Sequence, residues 1–190
     1  MNSAYAELYN AAVALVTALD KGADKLLPQS IVDIVKLHAK VAVGSAWIPI
    51  PGADMAAGAA NIWSMYVRIN NKVDISVKDN ILKTIGSGVA TNLVSYAAML
   101  GLGSAIKAIP GLGSLSGGIL MSASLYAVTL AGGYIYVQAL TLLANKGGTI
   151  DISQIDSAVK EVMADKDIIK NFIKAAKSDF KNNKNEITNK

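Results

Sequence analysis

From Gly86 to Ala144 the chain runs for 59 residues with a single charge, Lys107. A stretch that long and that uncharged cannot lie wholly in water. It belongs inside a protein or in lipid. Pro110-Gly111-Leu112-Gly113 divides it, since proline cannot continue a helix and glycine favours a turn. The two arms, Gly86 to Ile109 and Leu115 to Ala144, hold 24 and 30 residues. About 20 apolar residues span the hydrocarbon core of a bilayer as a helix, so each arm is long enough. The pattern predicts a central apolar helical hairpin over residues 86–144.

Polar residues weigh against insertion of that hairpin. The first arm holds Ser87, Thr91, Asn92, Ser95 and Ser104, the second Ser116, Ser122, Ser124, Thr129, Gln138 and Thr141. Such groups are unfavourable at mid-depth unless paired. In favour, Ile119 to Leu143 scarcely shows the polar face that a helix on a soluble surface needs. Gly113-Ser-Leu-Ser-Gly117 is a small-residue match that lets helices approach closely, although Gly113 adjoins the turn. Lysines cluster at residues 68–83 and from 146 onward, while 108–116 carries no charge. The positive-inside rule then places both termini in the cytoplasm and the hairpin in the cytoplasmic membrane. Peripheral or oligomer-dependent burial, and a soluble cytoplasmic bundle, stay open beside this reading.

The rest of the chain reads as helices flanking the hairpin. Tyr5, Leu8, Tyr9, Ala12, Leu15, Val16 and Leu19 recur at helical steps over residues 3–19. Pro28 opens a second helix with Ile31, Ile34, Val35, His38 and Val41 on one face. Pro49 and Pro51 force a break, after which a new helix runs to about Asn70. Ser76 with Asp79, and Ser153 with Asp156, resemble capping boxes. Residues 153–182 form an amphipathic C-terminal helical region, with Ile155, Val159, Val162, Ile169, Phe172, Ile173, Ala176 and Phe180 as its stripe. The expectation is one all-α domain over residues 1–190, a helical bundle around the apolar hairpin. Val73-Asp-Ile-Ser76 and Ile150-Asp-Ile-Ser153 echo one another ahead of helices, too briefly to make a repeat.

Composition narrows the function classes. Hydrophobic residues reach 52% and charged residues only 17%, and there are no cysteines. Thiolate nucleophiles, disulfides and cysteine metal sites are therefore excluded. The net charge is +4, with Arg68 the sole arginine and the lysines dispersed, which does not suit nucleic acid. An anionic lipid surface is the better electrostatic partner. The N-terminus carries Glu7 and lacks a basic leader, so no cleaved export signal is expected.

No catalytic set is legible. His38 is the single histidine and has no carboxylate on its own helical face, which leaves a helix-surface or core-edge histidine rather than a ligand. Asp54 is either an intramembrane carboxylate or an acid capping the helix after Pro51. Lys107 suits snorkelling to headgroups or capping of a helix C-terminus. Trp47, Trp63 and Tyr66 suit an interfacial belt or core packing. No cofactor or metal is expected, and the chain reads as a non-enzymatic protein.

Trp47-Ile-Pro-Ile-Pro-Gly-Ala-Asp54 precedes a small-residue helix ending in Met65-Tyr-Val-Arg68-Ile69. Lys107-Ala-Ile-Pro-Gly-Leu-Gly113 precedes Gly117-Gly118 and the run Ser124 to Gly133. Together these resemble the YcjF-type bacterial domain of unknown function over about residues 36–180, with a departure around Thr129. The resemblance implies Pro49, Pro51, Asp54, Lys107, Pro110, Gly111 and Gly113 as residues of interest. It also implies an inner-membrane setting, a GTPase as partner and no known activity; self-association is open beside it. The chain itself has no phosphate-binding G-x-x-x-x-G-K-[ST] loop. Three functions follow as expectations: a membrane-associated anchor or partner for a soluble protein, a pore-forming protein that inserts its hairpin, or a soluble bundle holding an apolar ligand.

Overall fold

The computed structural model describes residues 3–19, 26–45, 53–76, 78–99, 115–147 and 150–188. All regular structure among them is helical, and no strand occurs there. Helix α1 spans Ala4–Ala18, α2 Pro28–Ser45, α3 Ala53–Val73 and α4 Asp79–Met99. The 33-residue α5 spans Leu115–Gly147. A short 3-10 turn at Ile152–Gln154 leads into α6, Ile155–Ala164, followed by α7, Lys166–Asn182, and α8, Lys184–Thr188.

Local chemistry explains most of these boundaries. Ser3 caps α1, its hydroxyl accepting from the Ala6 N–H at 3.2 Å. Pro28 opens α2, as its position predicted. Helix α3 closes in a Schellman turn, with the Ile75 N–H donating to the Asn70 carbonyl at 2.9 Å and Asp74 held at φ 61°. The second capping-box expectation is corrected. Asp151, not Ser153, does the capping there, accepting from the Ser153 N–H and hydroxyl and from the Gln154 amide. The two Asp-Ile-Ser echoes thus do different jobs, one ending a helix and the other starting one. The C-terminal region is broken at Asp165, whose carboxylate accepts from the Ile168 N–H at 3.0 Å and starts α7.

Packing is organised around α5, which touches α1, α2, α3, α4, α6 and α7. From Ser122 to Ala144 only Leu125, Gln138 and Leu142 are less than fully buried. Each neighbour turns an apolar stripe toward it: Leu8 and Leu15 on α1, Ile31 and Val35 on α2, Ile62 and Ile69 on α3. Helix α7 buries Ile169, Phe172, Ile173, Ala176 and Phe180 at steps of three and four. Phe172 stacks on Tyr134 at 4.5 Å, and Phe180 meets Tyr126 at 5.3 Å. On α2 the buried stripe is rotated from the predicted one. Ile31, Val35 and His38 are inside with Ala39, Ala42 and Val43, whereas Val41 is 55% exposed and Leu37 47%. Tyr9 on α1, expected inside, is 42% exposed.

The contacts also fix directions. Asn61 bonds His38, so α3 runs back along α2. Gly86 abuts the Trp63 backbone, so α4 runs back along α3. Tyr66 bonds Gly132 and Tyr136 bonds Asn70, so α5 runs parallel to α3. Ser122 meets the Val43 carbonyl, completing an antiparallel α2–α5 pair.

Candidate functional site: the enclosed central helix

Among the described residues α5 alone is long and apolar enough to cross a membrane, over Met121–Lys146, and 89% of its apolar window is buried within the protein. The first predicted arm differs in kind. Helix α4 keeps Leu82, Ile85, Val89 and Leu93 inside and exposes Asn80, Lys83, Ser87, Thr91 and Asn92. Its outward Thr84, Thr91 and Asn92 donate to carbonyls four residues back, which is how polar side chains settle on a helix surface. So α4 is amphipathic, and α5 is apolar nearly all round.

The few polar groups of α5 are used inside the fold. The Tyr66 hydroxyl donates to the Gly132 carbonyl at 3.0 Å, and the Tyr136 hydroxyl donates to Asn70 Oδ1 at 2.9 Å. The two rings stack with centroids 3.9 Å apart. Residues 66 and 70 on α3 therefore meet 132 and 136 on α5 one turn at a time, which pins the register of the parallel pair. Burial pushes both phenols well above their ordinary value of 10.0, so neither ionises in the folded protein. Thr141 donates to the Val137 carbonyl at 2.9 Å, and Gln138 reaches the Tyr134 hydroxyl at 3.3 Å. The Asn70 Nδ2, Trp63 Nε1 and Tyr126 hydroxyl find no hydrogen-bond partner among the described residues.

A second polar pair holds α2 to α3. Asn61 Nδ2 donates to the His38 carbonyl at 2.8 Å, so its Oδ1 accepts, and His38 Nδ1, 2.8 Å away, carries the proton. His38 Nε2 is then a buried lone pair with no partner among the described residues. Burial lowers the imidazole below its ordinary value of 6.5, against the Asn61 bond that raises it, and the nearby Arg68 charge lowers it further. The histidine is a buried residue that clamps two helices, inside the fold rather than on the helix surface that the sequence also allowed. On the other side of α7's pairing with α5, Asp179 on α7 accepts from the Ala4 N–H at 3.0 Å and ties the start of α1. Burial raises the Asp179 carboxyl against the N–H bonds that lower it, and raises Glu7 as well, which the Asp179 charge raises further.

Pro49, Pro51, Lys107, Pro110, Gly111 and Gly113 lie outside the described residues. Asp54 is the second residue of α3, and its side chain lies outside the description too. The residues that the sequence reading missed are Asn61, Asn70 and Tyr136. A signal for them existed: each is a hydrogen-bonding group in a largely apolar helix, where a buried polar group requires a partner. No three His, Asp or Glu side chains come together as a metal site among the described residues. Compared with known proteins, the chain matches no family model, no curated protein and no solved structure.

Proposed function

We propose that this chain is a non-enzymatic protein of lipid membranes that folds with its one membrane-length helix sheathed by amphipathic helices. The observation that carries the reading is the contrast within the fold. Helix α5 has the length and apolarity of a membrane span, while the helices around it each bury an apolar stripe and expose polar residues together with a few apolar ones, Tyr9, Val13, Leu37, Val41 and Ile168 among them. In this state the protein meets a bilayer at its surface. Full entry of α5 requires the sheath to open, after which the amphipathic helices have a second home at the interface. The resemblance to the YcjF-type domain supports a setting at the cytoplasmic membrane and a protein partner such as a GTPase.

Purification without detergent, followed by flotation with anionic and neutral liposomes, tests the reading. We expect a detergent-free protein that floats with anionic vesicles. Dye release on mild acidification or denaturant would favour the pore-forming version, and flotation without release the anchoring version. A monodisperse protein that binds neither vesicle type at low salt would sink the proposal and leave a soluble bundle.

A further inference from the structure

Two hydrogen bonds join α2 to α3 through a single pair of side chains. The Asn61 amide donates to the His38 carbonyl and its oxygen accepts from the ring Nδ1, each at 2.8 Å. The bond from the Ser122 hydroxyl to the Val43 carbonyl, between α5 and α2, is 3.5 Å long, at the edge of hydrogen-bonding range. The fastenings of α3 and α7 to α5 use groups that keep their charge between pH 5 and 8. These are Tyr66 on Gly132, Tyr136 on Asn70, and the rings of Phe172 and Phe180 against Tyr134 and Tyr126. The clasp of α2 on α3 is built on the one side-chain type that does titrate there.

A proton on that ring has no place in the closed fold. Nδ1 already donates, so protonation adds an N–H at Nε2, which is buried and meets no acceptor among the described residues. The helices packed on α2 bring few charges. Helix α1 carries Glu7, α3 carries Asp54, Arg68 and Lys72, α5 carries Lys146, and α8 carries Lys184 and Glu186. On α2 itself Asp33 and Lys40 are exposed, Asp33 held by Gln29 at 2.7 Å, and Lys36 lies over the Tyr5 ring. Burial disfavours the charged ring first, and Arg68 adds repulsion. An unpaired imidazolium is costly inside and well solvated outside. Acid therefore favours a state in which α2 has moved far enough to hydrate the ring. That movement breaks both Asn61 bonds at once, because both run through the same two residues.

We propose that His38 is an acid-sensitive latch: neutral, it holds α2 against α3, and protonated, it releases α2 and uncovers the flank of α5 from Ser122 to Gly133. Val43 and Val35 of α2 mark the two ends of that flank. The latch goes beyond the membrane reading, since the opening belongs to the protein itself and needs no lipid. It is also distinct from a general loss of stability in acid, because the fastenings of α3 and α7 to α5 stay closed.

The test is amide hydrogen exchange of the full chain in lipid-free buffer at about pH 7.5 and about pH 5.5, corrected for the intrinsic pH dependence of exchange. Protection over residues 31–43, 58–66 and 122–133 should fall several-fold on acidification, while α7 from Ile169 to Phe180 keeps its protection. His38→Gln should abolish the fall. Asn61→Asp sets a carboxylate against the ring and favours the imidazolium, so there the fall should vanish or reverse, which a merely packed histidine would not produce. His38 is the sole histidine, so its ring-proton NMR signal reads its titration directly. That titration should lie below a free histidine's and run in step with the loss of protection. Equal wild-type protection at both pH values would overturn the latch. So would a parallel loss over α7, a fall that survives in His38→Gln, or a fall undiminished in Asn61→Asp. If either variant loses its helical circular dichroism at neutral pH, the wild-type titration decides, and a ring that titrates like an exposed histidine overturns the latch.

Discussion

Gly132 and Gly133 are adjacent in the middle of α5, and the fold makes opposite demands on them. A Cβ built on Gly133 would stand 2.4 and 2.7 Å from the two γ carbons of Val35 and 3.1 Å from its Cβ. Valine is stiff in a helix, and rotation about its first torsion cannot move the Cβ itself. An alanine at 133 therefore has to push α2 away from α5. Overpacking of this kind costs about 1–3 kcal/mol. Replacing glycine in a helix interior returns about 1 kcal/mol through the unfolded chain. The expected net effect of Gly133→Ala is destabilisation by up to about 2 kcal/mol. A Cβ on Gly132 meets Ile62 at 3.5 Å and the Tyr66 hydroxyl at 3.6 Å, ordinary contact. Gly132→Ala should thus be neutral or stabilising by up to about 1 kcal/mol.

Urea or guanidinium unfolding of the two single variants reads the difference directly, with a gap of about 2 kcal/mol expected between neighbours. In melting temperature that is a separation of roughly 4–8 °C for a chain of this length. The double variant Val35→Ala/Gly133→Ala supplies the control. With the γ carbons gone, alanine at 133 should raise stability relative to Val35→Ala alone, a coupling of about 2 kcal/mol in a double-mutant cycle. Equal stabilities for the two glycine variants, or a cycle with no coupling, would refute the placement of α2 against α5.

Three further outcomes follow from the same structure. His38 is held neutral, so the unfolded chain binds its proton more readily; the stability it contributes is full above about pH 6.5 and falls as pH drops through the lowered folded value. Unfolding midpoints between pH 7.5 and 5.5 should show that decline, and His38→Gln should flatten it; the raised carboxyls of Glu7 and Asp179 act in the opposite sense and remain in the His38→Gln variant as the reference. Phe172→Asp puts a charge where a fully buried ring stacks on Tyr134, a loss of about 3–5 kcal/mol or more, and limited proteolysis should cut rapidly after Lys166; unchanged cleavage would place α7 elsewhere. Asp74→Gly relieves an L-residue held at φ 61° in the Schellman turn, so it should stabilise by up to about 1 kcal/mol, and a loss of stability on thermal melting would show that the aspartate side chain is needed there.

What was legible in the sequence was whatever a short-range rule governs. Pro28 begins α2, the stripe Ile155 to Phe180 faces inward, and the all-α class follows from periodicity alone. The errors came where a neighbouring helix decides. Val41 was expected on the inner stripe of α2, yet the helix is rotated so that Ala39, Ala42 and Val43 are buried and Val41 is exposed. The break at Asp165 carries no glycine or proline, and only its capping bond reveals it. Ser153 was mistaken for the cap because Asp151 works through its own side chain two residues earlier. As for the candidate site, Asn61, Asn70 and Tyr136 have meaning only as pairs across helices. The proline and glycine positions singled out by the resemblance fall outside the described residues.

The deepest ambiguity, lipid or core, has a physical origin. A helix enclosed on every side by protein and a helix enclosed by acyl chains meet the same demand, to show no polar face, so α5 reads alike for both. The distinction lies in the helices around it. If α5 stood in lipid, the inner stripes of α1, α2, α3, α4, α6 and α7 would each need another cover, and α5 answers all of them at once. Opening the sheath therefore exposes not one apolar surface but two, that of α5 and that of its neighbours. Water cannot accept both, whereas a bilayer can, taking α5 into its core and the amphipathic stripes at its interface. The Tyr66–Gly132 and Tyr136–Asn70 bonds add a further condition, since their groups must find new partners once α3 and α5 part. Any route from the sheathed fold to an inserted one must break that pair of bonds. Replacing Asn70 by leucine should then lower the barrier to dye release if insertion occurs, and should leave release unchanged if α5 stays enclosed.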